Sequence, residues 1–223
     1  MDSKPRDANF ILDELIERYP ELSVCREDIA NAYFVLLESY KHQGQLLIAG
    51  NGGSAADSDH ISGELTKSFM FKRAVDPKLV SELEKLYGEA GKELAGHLEG
   101  GLAAIPLTTF NASNSAYAND VEWPAAFAQL VNALGHAGDV FMGITTSGNS
   151  GNIVDALMVA RAKGVKTIAL TGRDGGKCKA LADVCIIVPE KETFKIQERH
   201  LPIYHALCAM VEATLFELRS HCR

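Results

Sequence analysis

The sequence has no long apolar run, no cluster of basic residues and no leading apolar segment, and each absence excludes a class of protein. Nowhere do ~18 uncharged apolar residues follow one another, so we expect no membrane-spanning helix. No run of five Lys or Arg occurs and the formal net charge is −7, which disfavours a nucleic-acid-binding protein. Residues 1–9 carry charges without an apolar core, and we therefore expect no secretory signal.

Cysteines are few, and their number and spacing do not indicate disulfide pairs or a metal site. The five cysteines are odd in number, widely spread and never spaced C-x-x-C; they are Cys25, Cys178, Cys185, Cys208 and Cys222. An odd set without metal-site spacing is typical of reduced thiols in a cytoplasm. Cys185 and Cys208 lie in apolar stretches and are predicted to be small core residues.

The composition is that of an ordinary globular protein, with 47% apolar and 23% charged residues. A chain of 24.1 kDa suits one large domain, so we expect a single domain over 1–223. Within it, apolar spacing over 9–43 predicts two amphipathic helices broken near Pro20, the core of an N-terminal helical region over 1–44. A helical hairpin is predicted as an insertion over 72–101, with Asp76-Pro77 as its start signal; it is either a packing or oligomer contact or a lid.

Five short apolar runs alternate with helical patterns along the rest of the chain. They cover 45–50, 103–107, 139–145, 165–171 and 184–188. This alternation predicts an α/β fold, a three-layer αβα sandwich around a five-stranded parallel sheet. Right-handed crossovers then place every strand-to-helix loop at one edge of the sheet, where open α/β folds bind ligands. A closing helix is predicted over 195–219, kinked or started near Pro202.

Two of these loops have residues suited to an anion. Asn51-Gly52-Gly53-Ser54 follows the first strand and opens a helix, whose N-terminal amides favour negative charge. It is neither a Walker A motif nor G-x-G-x-x-G. The alternative is that Ser54 and Asp57 form a capping box.

The loop after the third strand, Thr145-Thr146-Ser147-Gly148-Asn149-Ser150, surrounds a glycine with four hydroxyls. A phosphate site is favoured there over a simple turn in which Ser150 caps the next helix.

Polar residues on two helices are candidates for chemistry. His60 and Glu64 are four positions apart and share a helix face, where they can hold a metal, exchange a proton or merely form a surface hydrogen bond. Gln197, His200 and His205 lie among apolar residues of the closing helix, where polar groups require partners. Gln197 and His205 are ~12 Å apart along an ideal helix, so they converge only around a ligand or at a distorted helix start.

Taken together, the two loops and the His60/Glu64 and Gln197/His205 pairs resemble the sugar isomerase (SIS) domain, and within it the phosphoheptose isomerase family. The resemblance runs over about 46–215, interrupted by the insertion. It implies a flavodoxin-like SIS fold, Glu64 and His205 as the catalytic acid/base pair, and Zn²⁺ held by His60, Glu64, Gln197 and His205. The substrate-binding residues that it implies are Asn51, Gly52, Gly53, Ser54, Asp120, Thr145, Thr146, Ser147, Ser150 and Gln197.

The same resemblance implies an activity and an assembly. The family converts sedoheptulose 7-phosphate to glycero-manno-heptose 7-phosphate through an enediol. Its members are homotetramers with N-terminal helices at the interface, so we expect a cytoplasmic homotetramer that binds a sugar phosphate, with no nucleic-acid or membrane partner.

Three features depart from the family pattern. Ser68 stands where the family carries an arginine, Phe194 stands where it carries an aspartate, and the insertion over 72–101 is atypical. They leave open an SIS isomerase for a different sugar phosphate. A non-catalytic SIS protein that binds a phosphosugar or serves as a scaffold is the other alternative, but retention of all four metal-binding positions favours an enzyme.

Overall fold

A five-stranded, fully parallel sheet forms the centre of the protein. The computed structural model describes residues 7–216. The strands are β1 (Leu46–Gly50), β2 (Ala104–Pro106), β3 (Val140–Thr145), β4 (Lys166–Thr171) and β5 (Val184–Ile187). Their spatial order is β2-β1-β3-β4-β5, and every neighbouring pair is parallel. All five predicted strands are confirmed within a residue or two.

Helices cover both faces of this sheet. In chain order they are α1 (Ala8–Arg18), α2 (Arg26–Lys41), α3 (Gly53–Thr66), α4 (Pro77–Tyr87), α5 (Glu89–His97), α6 (Asn111–Tyr117), α7 (Ala126–Leu134), α8 (Gly151–Ala162), α9 (Cys178–Leu181) and α10 (Thr193–Phe216). Short 3₁₀ turns cover Pro20–Cys25, Leu107–Thr109 and Trp123–Ala125, and a π-helical turn covers Ala118–Glu122. The predicted three-layer αβα sandwich is confirmed.

The two faces of the sheet carry separate apolar cores. Ile48, Met142 and Ile168 point into one core with α1, α2, α3 and α10. Leu47 and Phe141, their neighbours along the strands, point into the other core with α7 and α8. A parallel strand buried on both faces needs apolar residues at successive positions, which explains why these strands read as continuous apolar runs.

The order of the strands determines where a ligand binds. Strand β1 lies between β2 and β3, and Gly50 pairs with Ile144 near the carboxyl ends of β1 and β3. The connections from β1 and β3 then leave toward opposite faces, α3 into one core and α8 into the other. Such a switch point opens a crevice at the carboxyl ends of the strands. Both predicted anion loops lie at this crevice.

The N-terminal helices form the outer layer of one face. As predicted, the helical pattern breaks near Pro20, where a 3₁₀ turn separates α1 from α2. Their apolar faces are buried against the sheet and α10, but Val24 and Phe34 remain 72% and 57% exposed. The N-terminal region therefore belongs to the same packed core and still presents apolar side chains outward.

The insertion is a helical hairpin, as the sequence indicates. Asp76 caps α4 through a bond from the Lys78 amide, and Pro77 occupies the first helical turn. Gly88, at φ 61°, turns the chain between α4 and α5. None of the residues of α4 is buried, and the hairpin exposes Leu79, Leu86, Tyr87 and Leu94.

The closing helix α10 is continuous from Thr193 through Pro202 to Phe216, so a start near Pro202 is wrong, and a kink there stays a prediction. The predicted end, 217–219, lies outside the described residues. Among the residues described, no helix is both long and apolar enough to cross a bilayer.

The described cysteines are all free thiols. Cys25, Cys178 and Cys208 are buried and Cys185 is partly buried. The predicted core positions of Cys185 and Cys208 are therefore confirmed. Burial raises the pKa of the Cys25 and Cys178 thiols to about 11. These thiols are therefore protonated at neutral pH and unreactive. Cys222 lies outside the described residues.

Candidate active site

The loop after β1 opens helix α3 with a glycine. Gly52 precedes the helix at φ 57°, in the left-handed region that glycine adopts without strain. Ser54 lies inside the first turn, is 3% exposed and does not cap the helix. The alternative of a capping box between Ser54 and Asp57 is therefore wrong, and the helix N-terminus remains open to an anion.

The loop after β3 holds its hydroxyls in a fixed arrangement. Thr145 Oγ1 and Ser150 Oγ lie 2.8 Å apart, and Ser147 Oγ accepts a bond of 3.2 Å from the Asn149 amide. Ser150 directly precedes α8 as predicted, but its hydroxyl bonds Thr145 instead of capping the helix. Gly148, at φ 66°, packs so closely against the loop over 172–176 that no side chain fits there.

A reciprocal amide pair ties the two loops together. Asn51 Nδ2 donates to Asn152 Oδ1 at 3.0 Å, and Asn152 Nδ2 donates back to Asn51 Oδ1 at 2.8 Å. Asn152 is 5% exposed, so the pair is fixed from the α8 side. The sequence analysis missed Asn152, although an asparagine in the first turn of an apolar helix was a usable signal.

Gln197 on α10 lies at the same loop. A Cβ added to Gly53 would stand 2.6 Å from Gln197 Nε2, so the glycine makes room for this amide. Helices α3 and α10 pack side by side, with Gln197 beside the start of α3 and His205 two turns further along. Residues further along the facing sides of α3 and α10 therefore line the same groove.

His60, Glu64 and His205 converge in that groove. His60 Nε2 lies 3.1 Å from Glu64 Oε1 and 3.4 Å from His205 Nε2. One ligand atom from each residue falls within 4.8 Å of the others. The structure thus brings together three of the four predicted metal ligands, whereas the Gln197 amide lies over Gly53, where a Cβ would stand.

The donor set fits a zinc ion. The separations of 3.1 and 3.4 Å are close to the ~3.3 Å between ligands of a tetrahedral ion with ligand distances of ~2.0–2.1 Å. Two imidazole nitrogens and a carboxylate oxygen, without a thiolate, suit Zn²⁺ and other divalent metals. His60 is exposed and Glu64 and His205 are only partly buried, so the cluster is open to solvent, as a catalytic site requires.

Burial favours a neutral imidazole at His205. Burial lowers the pKa of His205, and the nearby His60 lowers it further while Glu64 opposes this. A neutral ring is the form that binds a metal or takes up a proton. Lys67 Nζ lies 3.7 Å from Glu64 Oε2, so the two oxygens of this carboxylate face different partners.

The C-terminal end of α3, which carries Glu64, is fixed by a buried ion pair. Arg73 donates from Nη2 to the Glu64 carbonyl at 2.7 Å and from Nη1 to the Leu65 carbonyl at 2.6 Å. Its Nε donates to Glu212 Oε1 at 2.6 Å, and both Arg73 and Glu212 side chains are fully buried. The Glu212 oxygens also accept bonds from the backbone amides over 69–70. This clamp satisfies carbonyls that a helix end otherwise leaves unpaired.

The remaining predicted positions lie at the edge of the site. Asp120 is exposed in the π-helical turn and accepts a bond from its neighbour Asn119, and no bond within 7–216 joins it to the hydroxyl loop. Ser68, which stands where the family pattern has an arginine, donates a hydrogen bond from its backbone N–H to the Glu99 carboxylate of the insertion. Phe194, the other departure, is 56% exposed.

His200 is a core residue instead of a site residue. Its side chain is fully buried, and its Nε2 lies 3.2 Å from the Thr171 carbonyl at the end of β4. Its Nδ1 has no hydrogen-bond partner in the described part of the chain. Burial lowers the pKa of His200 to about 4.

We expect His200 to make the stability fall at acidic pH. The unfolded chain takes up a proton near pH 6.5 but the folded chain only near pH 4, so stabilisation present above pH 6.5 is lost between these values. The loss is about 3 kcal/mol at 1.36 kcal/mol per pKa unit. Urea unfolding of wild type and His200→Gln at pH 7 and pH 4.5 measures it, and an equal pH dependence of both proteins would contradict the assignment.

The fold and the site together define a class, the SIS-domain proteins. A family profile described as SIS domain matches residues 84–172. The SIS-domain part of an RpiR transcription factor from Sphaerobacter thermophilus superposes with a TM-score of 0.52 over 92% of this chain and 88% of its own, at 13% identity. This second likeness concerns the fold alone.

Closer relatives specify the family. The phosphoheptose isomerase of Helicobacter pylori strain P12 is 38% identical over 191 residues, 86% of each chain. That of Aneurinibacillus thermoaerophilus is 40% identical over 180 residues, 81% of this chain and 78% of its own. The solved phosphoheptose isomerase GmhA of Neisseria gonorrhoeae is 34% identical, with a TM-score of 0.71 over 90% of this chain and 94% of its own. The chain belongs to the phosphoheptose isomerase family, whose members are aldose–ketose isomerases.

Proposed function

We propose that this enzyme converts sedoheptulose 7-phosphate to glycero-manno-heptose 7-phosphate. One observation carries the proposal: α3 begins at a hydroxyl-lined anion loop and bears His60 and Glu64 further along the groove that it forms with α10. Ser54 and Glu64 are ten positions apart, ~15 Å along the helix axis. A long sugar phosphate can reach from one end of this groove to the other.

The hydroxyl loops hold the phosphate in this proposal. Ser54, Thr145, Thr146, Ser147 and Ser150 supply hydroxyls, and helices α3 and α8 both begin at the loops. Hydroxyls and helix N-termini bind a phosphate dianion without a lysine. Gly52 and Gly53 allow close approach of the backbone. Anchoring the phosphate fixes the distance of the reacting carbons from Glu64.

Glu64 moves the proton between carbons. In the ketose, Glu64 takes a proton from C1, and the electron pair of that bond forms the C1–C2 double bond of an enediolate. Return of the proton to C2 leaves the aldehyde at C1. His205 moves the accompanying proton between the two oxygens, so the overall composition is unchanged. Oε1 of Glu64 lies 3.1 Å from His60 Nε2 and Oε2 lies 3.7 Å from Lys67 Nζ, so Oε2 is the oxygen that would act on carbon.

His60, Glu64 and His205 would hold Zn²⁺, with Gln197 as the fourth ligand after a change of its side-chain conformation. When bound, the ion would stabilise negative charge on the substrate oxygens.

Asn51 and Asp120 are proposed substrate contacts. For Asn51, the contact is consistent with one free lone pair on an oxygen already bonded to Asn152.

We also propose that the chain acts as one SIS domain over 1–223, in a cytoplasmic homotetramer. The exposed Val24 and Phe34 of the N-terminal region supply apolar surface for subunit contacts. The free buried thiols are consistent with a reducing compartment. Light scattering is expected to give four times the 24.1 kDa mass of one chain.

A different sugar phosphate is the second candidate, favoured by Ser68 and the exposed Phe194 at positions where the family pattern has charged residues. The experiment that separates the two is an isomerisation screen of the purified enzyme against sugar phosphates of five to seven carbons, with and without added Zn²⁺. Turnover of the seven-carbon substrate above all others is expected. Preference for a shorter sugar would establish the alternative, and no turnover of any would contradict both.

Replacing Ser147 by alanine is expected to weaken substrate binding. Removal of one hydrogen bond to a dianion costs about 1.5–3 kcal/mol, which raises KM on the order of 10–100-fold and leaves kcat nearly unchanged. Ser115→Ala, which removes a hydroxyl bonded to the Ala112 carbonyl on α6, is the matched control. Steady-state kinetics measure both variants, and a wild-type KM for Ser147→Ala would exclude Ser147 from the phosphate site.

A further inference from the structure

A chain of hydrogen bonds lies behind the His/Glu/His cluster. His60 Nδ1 is 3.0 Å from the Tyr204 hydroxyl oxygen, and that hydroxyl donates to Asp57 Oδ1 at 3.3 Å. Tyr204 is 1% exposed, and its ring makes edge contacts with both His60 and His205. Neither Tyr204 nor Asp57 takes part in the proposed proton transfer or belongs to the proposed metal ligands.

The direction of these bonds follows from the chemistry of the groups. The Tyr204 hydroxyl donates its single proton to Asp57, which as a carboxylate can only accept. The hydroxyl oxygen then offers a lone pair to His60, and His60 Nδ1 must carry the hydrogen. In the neutral ring this leaves Nε2 without a proton.

We propose that Tyr204 is a positioning residue, which together with Asp57 holds His60 in the Nδ1–H tautomer with its Nε2 lone pair directed at Glu64 and His205. Nε2 is the atom that lies 3.1 Å from Glu64 Oε1 and 3.4 Å from His205 Nε2. Without the tyrosine hydroxyl, the opposite tautomer gains a bond from Nε2–H to the Glu64 carboxylate. That tautomer blocks the atom that a metal needs.

The inference rests on the metal role proposed above, and its test separates the two. The test variant is Tyr204→Phe, which keeps the ring and its packing. Tyr40→Phe is the matched control, because it removes a tyrosine hydroxyl that donates to the Ala103 carbonyl. Zn²⁺ affinity of the metal-free full-length proteins is measured by competition with a chelator, and the His60 tautomer by long-range ¹H–¹⁵N spectra of protein labelled in its histidine rings. The His60 signals are identified by their loss in His60→Gln.

Tyr204→Phe is expected to bind Zn²⁺ on the order of 10–100-fold more weakly than wild type, as is typical when the partner of a metal-binding histidine is removed. Its metal-free spectrum is expected to show Nε2–H at His60, whereas wild type and Tyr40→Phe show Nδ1–H. Asp57→Leu, which leaves the phenol without its acceptor, is expected to give the same change, because the hydroxyl then donates to Nδ1. Wild-type affinity and an unchanged tautomer in both variants would overturn the proposal. If wild type binds no Zn²⁺, the metal role fails, and the tautomer still decides whether Tyr204 positions His60.

Discussion

Replacement of Glu64 by glutamine is expected to lower kcat by a factor on the order of 10²–10⁴, the usual contribution of a general base. Glutamine keeps the size of the side chain and one oxygen toward His60, but it cannot take a proton from carbon. The substitution removes no core packing, so the midpoint of urea unfolding is expected to stay close to wild type. The phosphate loops are far from the altered atom, so the affinity for inorganic phosphate is expected to stay close to wild type as well. A coupled assay of aldose formation measures the loss.

Two controls distinguish the loss of the base from other effects. Glu93→Gln makes the same substitution at an exposed position of the insertion and is expected to leave kcat unchanged. Because Glu64 also belongs to the proposed metal site, Zn²⁺ content is measured beside the rate. If the variant has the Zn²⁺ content of wild type but has lost activity, the loss is due to the missing proton transfer. Undiminished turnover by Glu64→Gln would exclude Glu64 as the base.

Breaking the buried pair of Arg73 and Glu212 is expected to cause the largest loss of stability. Arg73→Met leaves the Glu212 carboxylate buried without its cation, and it leaves two carbonyls at the end of α3 without donors. Removal of one partner of a buried pair typically costs about 3–5 kcal/mol. Urea unfolding at pH 7 measures the change in the free energy of unfolding.

A double variant tests whether the uncompensated charge is the cause. Arg73→Met with Glu212→Leu replaces both ions by apolar groups and is expected to be more stable than Arg73→Met alone. Lys85→Met, which breaks an exposed pair with Glu82, is expected to unfold at the wild-type midpoint. Equal stability of Arg73→Met and wild type would show that the clamp does not secure α3. Part of the activity is expected to be lost as well, because the clamp holds the Glu64 carbonyl.

The strands and the two anion loops were predictable because their signals are local. A strand buried on both faces must be apolar at successive positions, and Gly52 and Gly148 mark turns at positive φ, which glycine adopts without strain. The cap of α3 was not predicted, since a serine three residues before an aspartate fits a capping box as well as it fits an anion loop. The structure decides this through Gly52, which takes the position before the helix.

Contacts between helices distant in sequence could not be predicted. Tyr204 meets Asp57 and His60 only because α10 packs along α3, and no periodicity in either segment specifies that register. The position of Glu212, a charged residue within an apolar helix, indicated that its carboxylate needs a partner. The sequence did not indicate that this partner is Arg73. The spacing of Gln197 and His205 correctly indicated a separation along the helix, and the structure has Gln197 beside Gly53 and His205 beside His60.

The measurement that tests the account most directly is a crystal structure of Glu64→Gln with sedoheptulose 7-phosphate bound. The account predicts the phosphate at the hydroxyls of Ser54 and Ser147, and the C1–C2 bond of the sugar beside residue 64 and His205. A phosphate bound elsewhere, or a sugar directed away from α3 in every subunit, would contradict it.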